Sequence, residues 1–155
     1  MIDRIKMKLK EIMHWIFHIK IYKNSGVILR GVPKILYGEN IKFGKNVRIN
    51  DNVFLHAANG ITIGDNTTLS YGACLITESY DLTSRENYLK RHHSGKKITI
   101  GKNVWICANV TILPGVTIAD NVIVGASSVV TKDLKESSSL YAGNPAKFIK
   151  KMEWK

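Results

Sequence analysis

Histidine is the side chain best suited to move protons near neutral pH, and three of the five histidines, His56, His92 and His93, lie beyond the basic N-terminal stretch. His92 and His93 end a polar segment, ITESYDLTSRENYLKRHHSGKK, that also carries Tyr80 and Asp81. A hydroxyl is a poor nucleophile at neutral pH, so any chemistry on an alcohol needs a base of this kind within hydrogen-bond reach. Metal chemistry is not expected. Adjacent histidines cannot easily give two ligands to one tetrahedral ion. Cys74 and Cys107 stand without a C-x-x-C spacing or a neighbouring histidine. Neither a zinc site nor a disulfide framework is implied, and a reduced, cytoplasmic setting fits.

The elements that must position these residues are announced by a repeat. Aliphatic residues recur every six positions at Ile100, Ile106, Ile112, Ile118, Val124 and Val130, and small or β-branched residues stand four positions after the first five, at Val104, Val110, Val116, Val122 and Ser128. An earlier run has the same register at Phe43, Ile49 and Leu55, with Val47 and Val53 at the fourth offset. It shifts by two residues and resumes at Ile63, Leu69 and Leu75, with Thr67 and Ala73. Neither the helical period of about 3.6 nor simple alternation yields a strict six, and helices tolerate so many Val, Thr and Gly residues poorly. Short strands joined by tight turns do, with Gly, Asn and Asp at Gly44, Asn46, Asp51, Asn52, Gly64, Asp65, Asn66, Gly101, Asn103, Asp120 and Asn121 supplying the turns.

The strings ITIGDN, ITIGKNVWI, ILPGVTIADNVIVGASSVVTKD and AGNPAKFIKK resemble those of the hexapeptide-repeat acyltransferases, above all the maltose, galactoside and exopolysaccharide O-acetyltransferases. The resemblance covers roughly residues 40 to 150. It implies an all-β fold, a left-handed parallel β-helix in which three hexads make one coil, an exception to the usual right-handed crossover. An N-terminal amphipathic α-helix over 1–24 and a short C-terminal helix would flank it, with the β-helix domain at 25–150 and an extruded loop at 76–97. The expected activity is transfer of an acetyl group from acetyl-CoA, a co-substrate, to a sugar hydroxyl in capsule, exopolysaccharide or lipopolysaccharide synthesis. N-acetylation is the close relative. A solenoid scaffold without catalysis, a γ-type carbonic anhydrase and a nucleic-acid binder are the competing classes. The second lacks enough histidines, and the third lacks any zinc-finger spacing or RNA-binding aromatic motif.

The same resemblance assigns residues. In exopolysaccharide enzymes the base lies in a Ser-His-Asp string, and here the string is Ser79-Tyr80-Asp81. A phenol is a poor base at neutral pH. His92 or His93 from the far end of the loop, His56 from an earlier coil, or no base at all are the three readings, with Tyr80 and Asp81 beside the reacting groups. Trp105, in an N-V-W-I string, is expected at the acceptor together with His56 and Asn59. Cys107, Ala126, Ser127, Thr131, Lys132, Asn144, Pro145 and Lys147 are expected along CoA, Lys147 standing where arginine is common and so without the bidentate fork. A homotrimer is expected, with Trp105 and Val110 or its neighbours among outward apolar residues left uncovered on a single prism.

The N-terminal stretch places Ile2, Ile5, Leu9, Ile12, Met13, Ile16 and Ile19 at helical spacing among Arg4, Lys6, Lys8, Lys10 and Lys20. It does not resemble a signal peptide, and its uncharged run, Ile12 to Ile19, is too short to span a bilayer. It would cap the end of the β-helix or lie on an anionic membrane, giving a protein peripheral to the inner face. The formal net charge of +11 fits anionic partners of several kinds.

Overall fold

The computed structural model describes residues 2–18, 22 and 25–153. Helix α1 (Ile2–Phe17) precedes a β-solenoid whose strands are two or three residues long for most of its length. The strands stack into three parallel faces, as expected for a left-handed β-helix. The first face runs β1 (Ile28–Arg30), β4 (Arg48–Asn50), β7 (Thr68–Leu69), β12 (Trp105–Ile106), β15 (Ile123–Val124), β17 (Ser139–Ala142) and β18 (Lys147–Lys151). The second stacks β2 (Lys34–Leu36), β5 (Phe54–His56), β8 (Cys74–Ile76), β13 (Thr111–Ile112) and β16 (Val129–Val130). The third stacks β3 (Ile41–Phe43), β6 (Ile61–Ile63), β11 (Ile98–Ile100) and β14 (Thr117–Ile118).

The hexad explains the interior. Ile63, Ile100 and Ile118 stand in register up the third face, Leu55, Leu75, Ile112 and Val130 up the second, and Ile49, Leu69, Ile106 and Val124 up the first, all at 0–1% exposure. Burying each such side chain stabilises the fold by about 1.5–3 kcal/mol. The fourth-offset residues close the corners from inside, so Val110, expected among outward residues, is fully buried like Val104 and Val122. The residues that face out on the strands are their neighbours, Thr111, Trp105 and Ile123.

At one corner the turn asparagines form a ladder. Asn46, Asn66, Asn103 and Asn121 all have φ between 54° and 60°, and each of the first three donates its amide Nδ2 to the Oδ1 of the next at 2.9–3.1 Å. Gly64 lies beside this ladder because a Cβ there would sit 2.6 Å from the carbonyl carbon of Gly101 in the adjacent coil.

A second expectation changes as well. The C-terminal segment is not a helix: β18 pairs antiparallel with β17, with Tyr141 opposite Phe148, and gives the last edge of the first face a hydrogen-bonded partner. The extruded loop carries secondary structure of its own. After β8 the chain forms β9 (Glu78–Tyr80), a short helix α2 (Arg85–Leu89) and β10 (His93–Gly95), and β9 and β10 make an antiparallel ribbon.

Candidate active site in the cleft beneath the ribbon

The ribbon register brings together what the sequence separates. Tyr80 pairs with His93, Ser79 with Ser94 and Glu78 with Gly95. Residues two apart on a strand share a side, so Glu78 and Tyr80 point the same way, and His93 joins them from across the ladder. The Tyr80 and His93 rings meet edge-on at 5.0 Å between centroids. The carboxylate Oε2 of Glu78 lies 3.4 Å from His93 Nδ1 and 4.0 Å from His56 Nε2. Phe54, His56, Ile76, Glu78, Ser79, Tyr80 and His93 line a cleft of about 320 Å³.

The ribbon is held at both ends. At its tip, the Asp81 N–H donates to the His92 carbonyl at 2.7 Å, and the Asp81 carboxylate accepts from the Thr83 N–H and hydroxyl and from the Asn87 amide. The Thr83 bonds, with that of Asn87, hold the Asp81 carboxyl below the usual carboxylate range. At its base, Lys96 N–H donates to the Thr77 carbonyl, while Thr77 receives both the backbone N–H and the side-chain amide of Asn59. Gly95 stands where any Cβ would collide with Asn59 and the Thr77 carbonyl. His56 packs edge-on against Tyr37 at 5.4 Å, and its Nδ1 has no hydrogen-bond partner among the described residues.

The candidate residues therefore divide by place. His93, Tyr80 and His56 share the cleft. The exposed His92 and the partly exposed Asp81 belong to the ribbon tip, and Asn59 ties the ribbon's root to the coil. Trp105 lies on another face, half exposed, with its indole N–H donating to Ser70 Oγ at 2.9 Å. Glu78, Phe54 and Tyr37 were not singled out by sequence. The strand alternation that puts Glu78 beside Tyr80 was the available signal for the first of them.

The residues assigned to CoA occupy two edges of the second face. Cys107, Ala126 and Ser127 lie in successive turns between the first and second faces, stacked by bonds such as Ser127 N–H to the Ala108 carbonyl, and Asn144 and Pro145 lie in the β17–β18 turn, where the Gly143 carbonyl accepts from Val129 N–H. Thr131 and Lys132 follow β16 on the opposite edge, and the pairing register places Thr131 in the same row as His56, Ile76 and Leu113. At about 4.8 Å per strand spacing, Thr131 is some three spacings, or ~14 Å, along that edge from His56. Burial pushes the thiols of Cys74 and Cys107 up, so neither is a ready thiolate.

Residues 97–132 match the family model of the bacterial transferase hexapeptide (six repeats). A maltose O-acetyltransferase from Clostridium difficile 630 is 35% identical, with a TM-score of 0.77 over 83% of this chain and 67% of its own. The chain belongs to the hexapeptide-repeat acetyltransferases. A hexapeptide-repeat-containing acetyltransferase from Vibrio cholerae O1 biovar eltor, complexed with acetyl coenzyme A, is 28% identical at a TM-score of 0.76, covering 88% of this chain and 76% of its own. A galactoside acetyltransferase in complex with coenzyme A is 27% identical at 0.77, covering 95% and 82%. Comparison with curated protein sequences gives no match. In this hexapeptide-repeat acetyltransferase a phenol, Tyr80, stands where the resemblance leads one to expect an imidazole, and the return strand sets an imidazole directly opposite it.

Proposed function

We propose that the chain is an acetyl-CoA-dependent O-acetyltransferase acting on a saccharide hydroxyl in polysaccharide biosynthesis, with His93 as the base. The observation that carries this reading is the pairing of His93 with Tyr80 over the Glu78 carboxylate in one cleft. The similar proteins named above, a maltose O-acetyltransferase and acetyltransferases complexed with acetyl coenzyme A or coenzyme A, support the donor and the acceptor class.

In this mechanism His93 takes the proton of the acceptor hydroxyl as its oxygen attacks the acetyl carbonyl carbon. The C–O bond forms, the C–S bond breaks, and the imidazolium returns its proton to the departing thiolate. Glu78, 3.4 Å from His93 Nδ1, orients the ring and opposes the charge that develops on it. Phe54 and the half-exposed Tyr80 offer aromatic walls to a sugar ring. Thr131 and Lys132 lie up the same edge from the cleft, and Lys147 on β18 is exposed as a point charge for phosphate. The reading includes a homotrimer, supported by Trp105 and Tyr71, about half exposed around the first face.

The test is release of free CoA thiol from acetyl-CoA with a panel of mono- and oligosaccharides, with product mass identified. Acetylated sugar is the expected result. No transfer by the wild type, with transfer restored by Tyr80→His, would instead identify a scaffold that has lost its base.

A further inference from the structure

Helix α1 leaves its apolar stripe uncovered: Ile5, Ile12 and Ile16 are exposed, and Leu9 and Met13 border an open groove of about 730 Å³ against Val32 and Asp51 of the solenoid. At about 100° per residue, Ile5, Leu9, Ile12, Met13 and Ile16 fall on one side, and they are 49–57% exposed, with Phe17 at its border 76% exposed. The opposite side faces the body through polar groups. Glu11 is 8% exposed, and His14 Nε2 meets the buried Tyr22 hydroxyl at 2.9 Å. Tyr22 in turn packs against Phe43 at 6.1 Å between ring centroids. A helix that merely capped the prism would present these faces the other way round, since an apolar stripe is the face that gains from burial against a core.

What borders the stripe indicates what covers it. The exposed Lys6 and Lys10 flank one side, and Lys8, paired with Glu11 at 3.0 Å, and Trp15 flank the other. Long cationic chains bordering a narrow apolar face let the stripe enter hydrocarbon while the ammonium groups stay at the headgroups. A second copy of this helix is a poorer occupant of the stripe, because it would bring the exposed Lys6, Lys8 and Lys10 of one copy against those of the other. An anionic lipid surface answers both the apolar stripe and its charged borders. No helix among the described residues is long and apolar enough to cross a membrane, so the contact is with one leaflet.

We propose that α1 docks the protein on an anionic lipid surface, stripe inward, with the solenoid held on the aqueous side. The test uses the full chain with phosphatidylcholine–phosphatidylglycerol vesicles against phosphatidylcholine alone, read by co-sedimentation. Binding is expected to the anionic vesicles and to weaken as salt is raised. The double substitution Ile12→Asp with Ile16→Asp should reduce it at least about tenfold, and Lys6→Glu with Lys10→Glu should reduce it while leaving the stripe intact. Helix content, oligomeric mass and acetyl transfer to soluble saccharide should be unchanged in both, since none of these residues touches the cleft. Absence of binding to anionic vesicles, or binding that ignores both headgroup and salt, would overturn the proposal. A change of oligomeric mass in Ile12→Asp with Ile16→Asp without lipid would do the same and assign the stripe to a second copy.

Discussion

Glu78→Gln isolates the charge of the carboxylate beneath His93 without changing its shape. In the transition state the imidazole becomes a cation, and its nearest carboxylate oxygen is 3.4 Å from Nδ1. Two unit charges at that distance attract by about 5 kcal/mol at an effective dielectric constant of 20 and about 1 kcal/mol in bulk water. The side chains of His93 and Glu78 are 51% and 25% exposed, so screening pulls the value toward the lower end, to about 1–2.5 kcal/mol. That is a loss of about 5- to 70-fold in kcat. The assay is initial rate at saturating acetyl-CoA and acceptor, repeated in the His93→Ala background. The loss should appear in kcat with KM for acetyl-CoA unchanged, and should vanish once His93 is absent, because Glu78 acts through that ring. Full activity in Glu78→Gln, or an equal loss with and without His93, would refute the reasoning.

Other consequences are independent of the base. Lys132→Ala and Lys147→Ala should each weaken CoA binding about three- to tenfold at low salt, with the difference shrinking as salt rises; titration calorimetry reads this. Ile112→Ala, which empties a fully buried position between Leu75 and Val130, should cost about 2–5 kcal/mol by denaturant unfolding, whereas outward Thr111→Ala should stay within about 0.5 kcal/mol. His14 is held to about 4, below its usual 6.5, by burial and then by the neighbouring His18. Between those values the unfolded chain takes a proton that the docked helix refuses. Helix docking is therefore fully stabilised above about 6.5 and weakens as pH falls toward 4. The protection of α1 amides relative to their intrinsic exchange rate should fall from pH 7 to pH 5 in the wild type, and less so in His14→Gln.

The solenoid was legible because its physics is local and periodic. A strict hexad with Asn, Asp and Gly at the corners admits short stacked strands and little else, and rows such as Ile63, Ile100 and Ile118 follow directly. Val110 was misplaced because its β-branched type suits an outward strand position as well as a buried corner. The ends obey tertiary demands that composition does not show. Residues 147–151 form a strand because the first face would otherwise end on an open edge. The site was legible in part for the same reason. Which of two adjacent histidines faces Tyr80 depends on the ribbon's register, since a shift of one residue would exchange the sides presented by His92 and His93. That register is fixed by the Asp81–Thr83–Asn87 hydrogen bonds and the short α2, none of which has a hexad signature.

The central claim is that His93, rather than the phenol opposite it or His56 beside it, takes the proton from the acceptor. Its most direct test is kcat for acetyl transfer in His93→Ala, set beside His56→Ala and Tyr80→Phe, with folding and CoA binding verified in each. The account predicts a loss of about 10²- to 10⁴-fold in His93→Ala alone. Full activity in His93→Ala, with that loss appearing in Tyr80→Phe or His56→Ala, would contradict it.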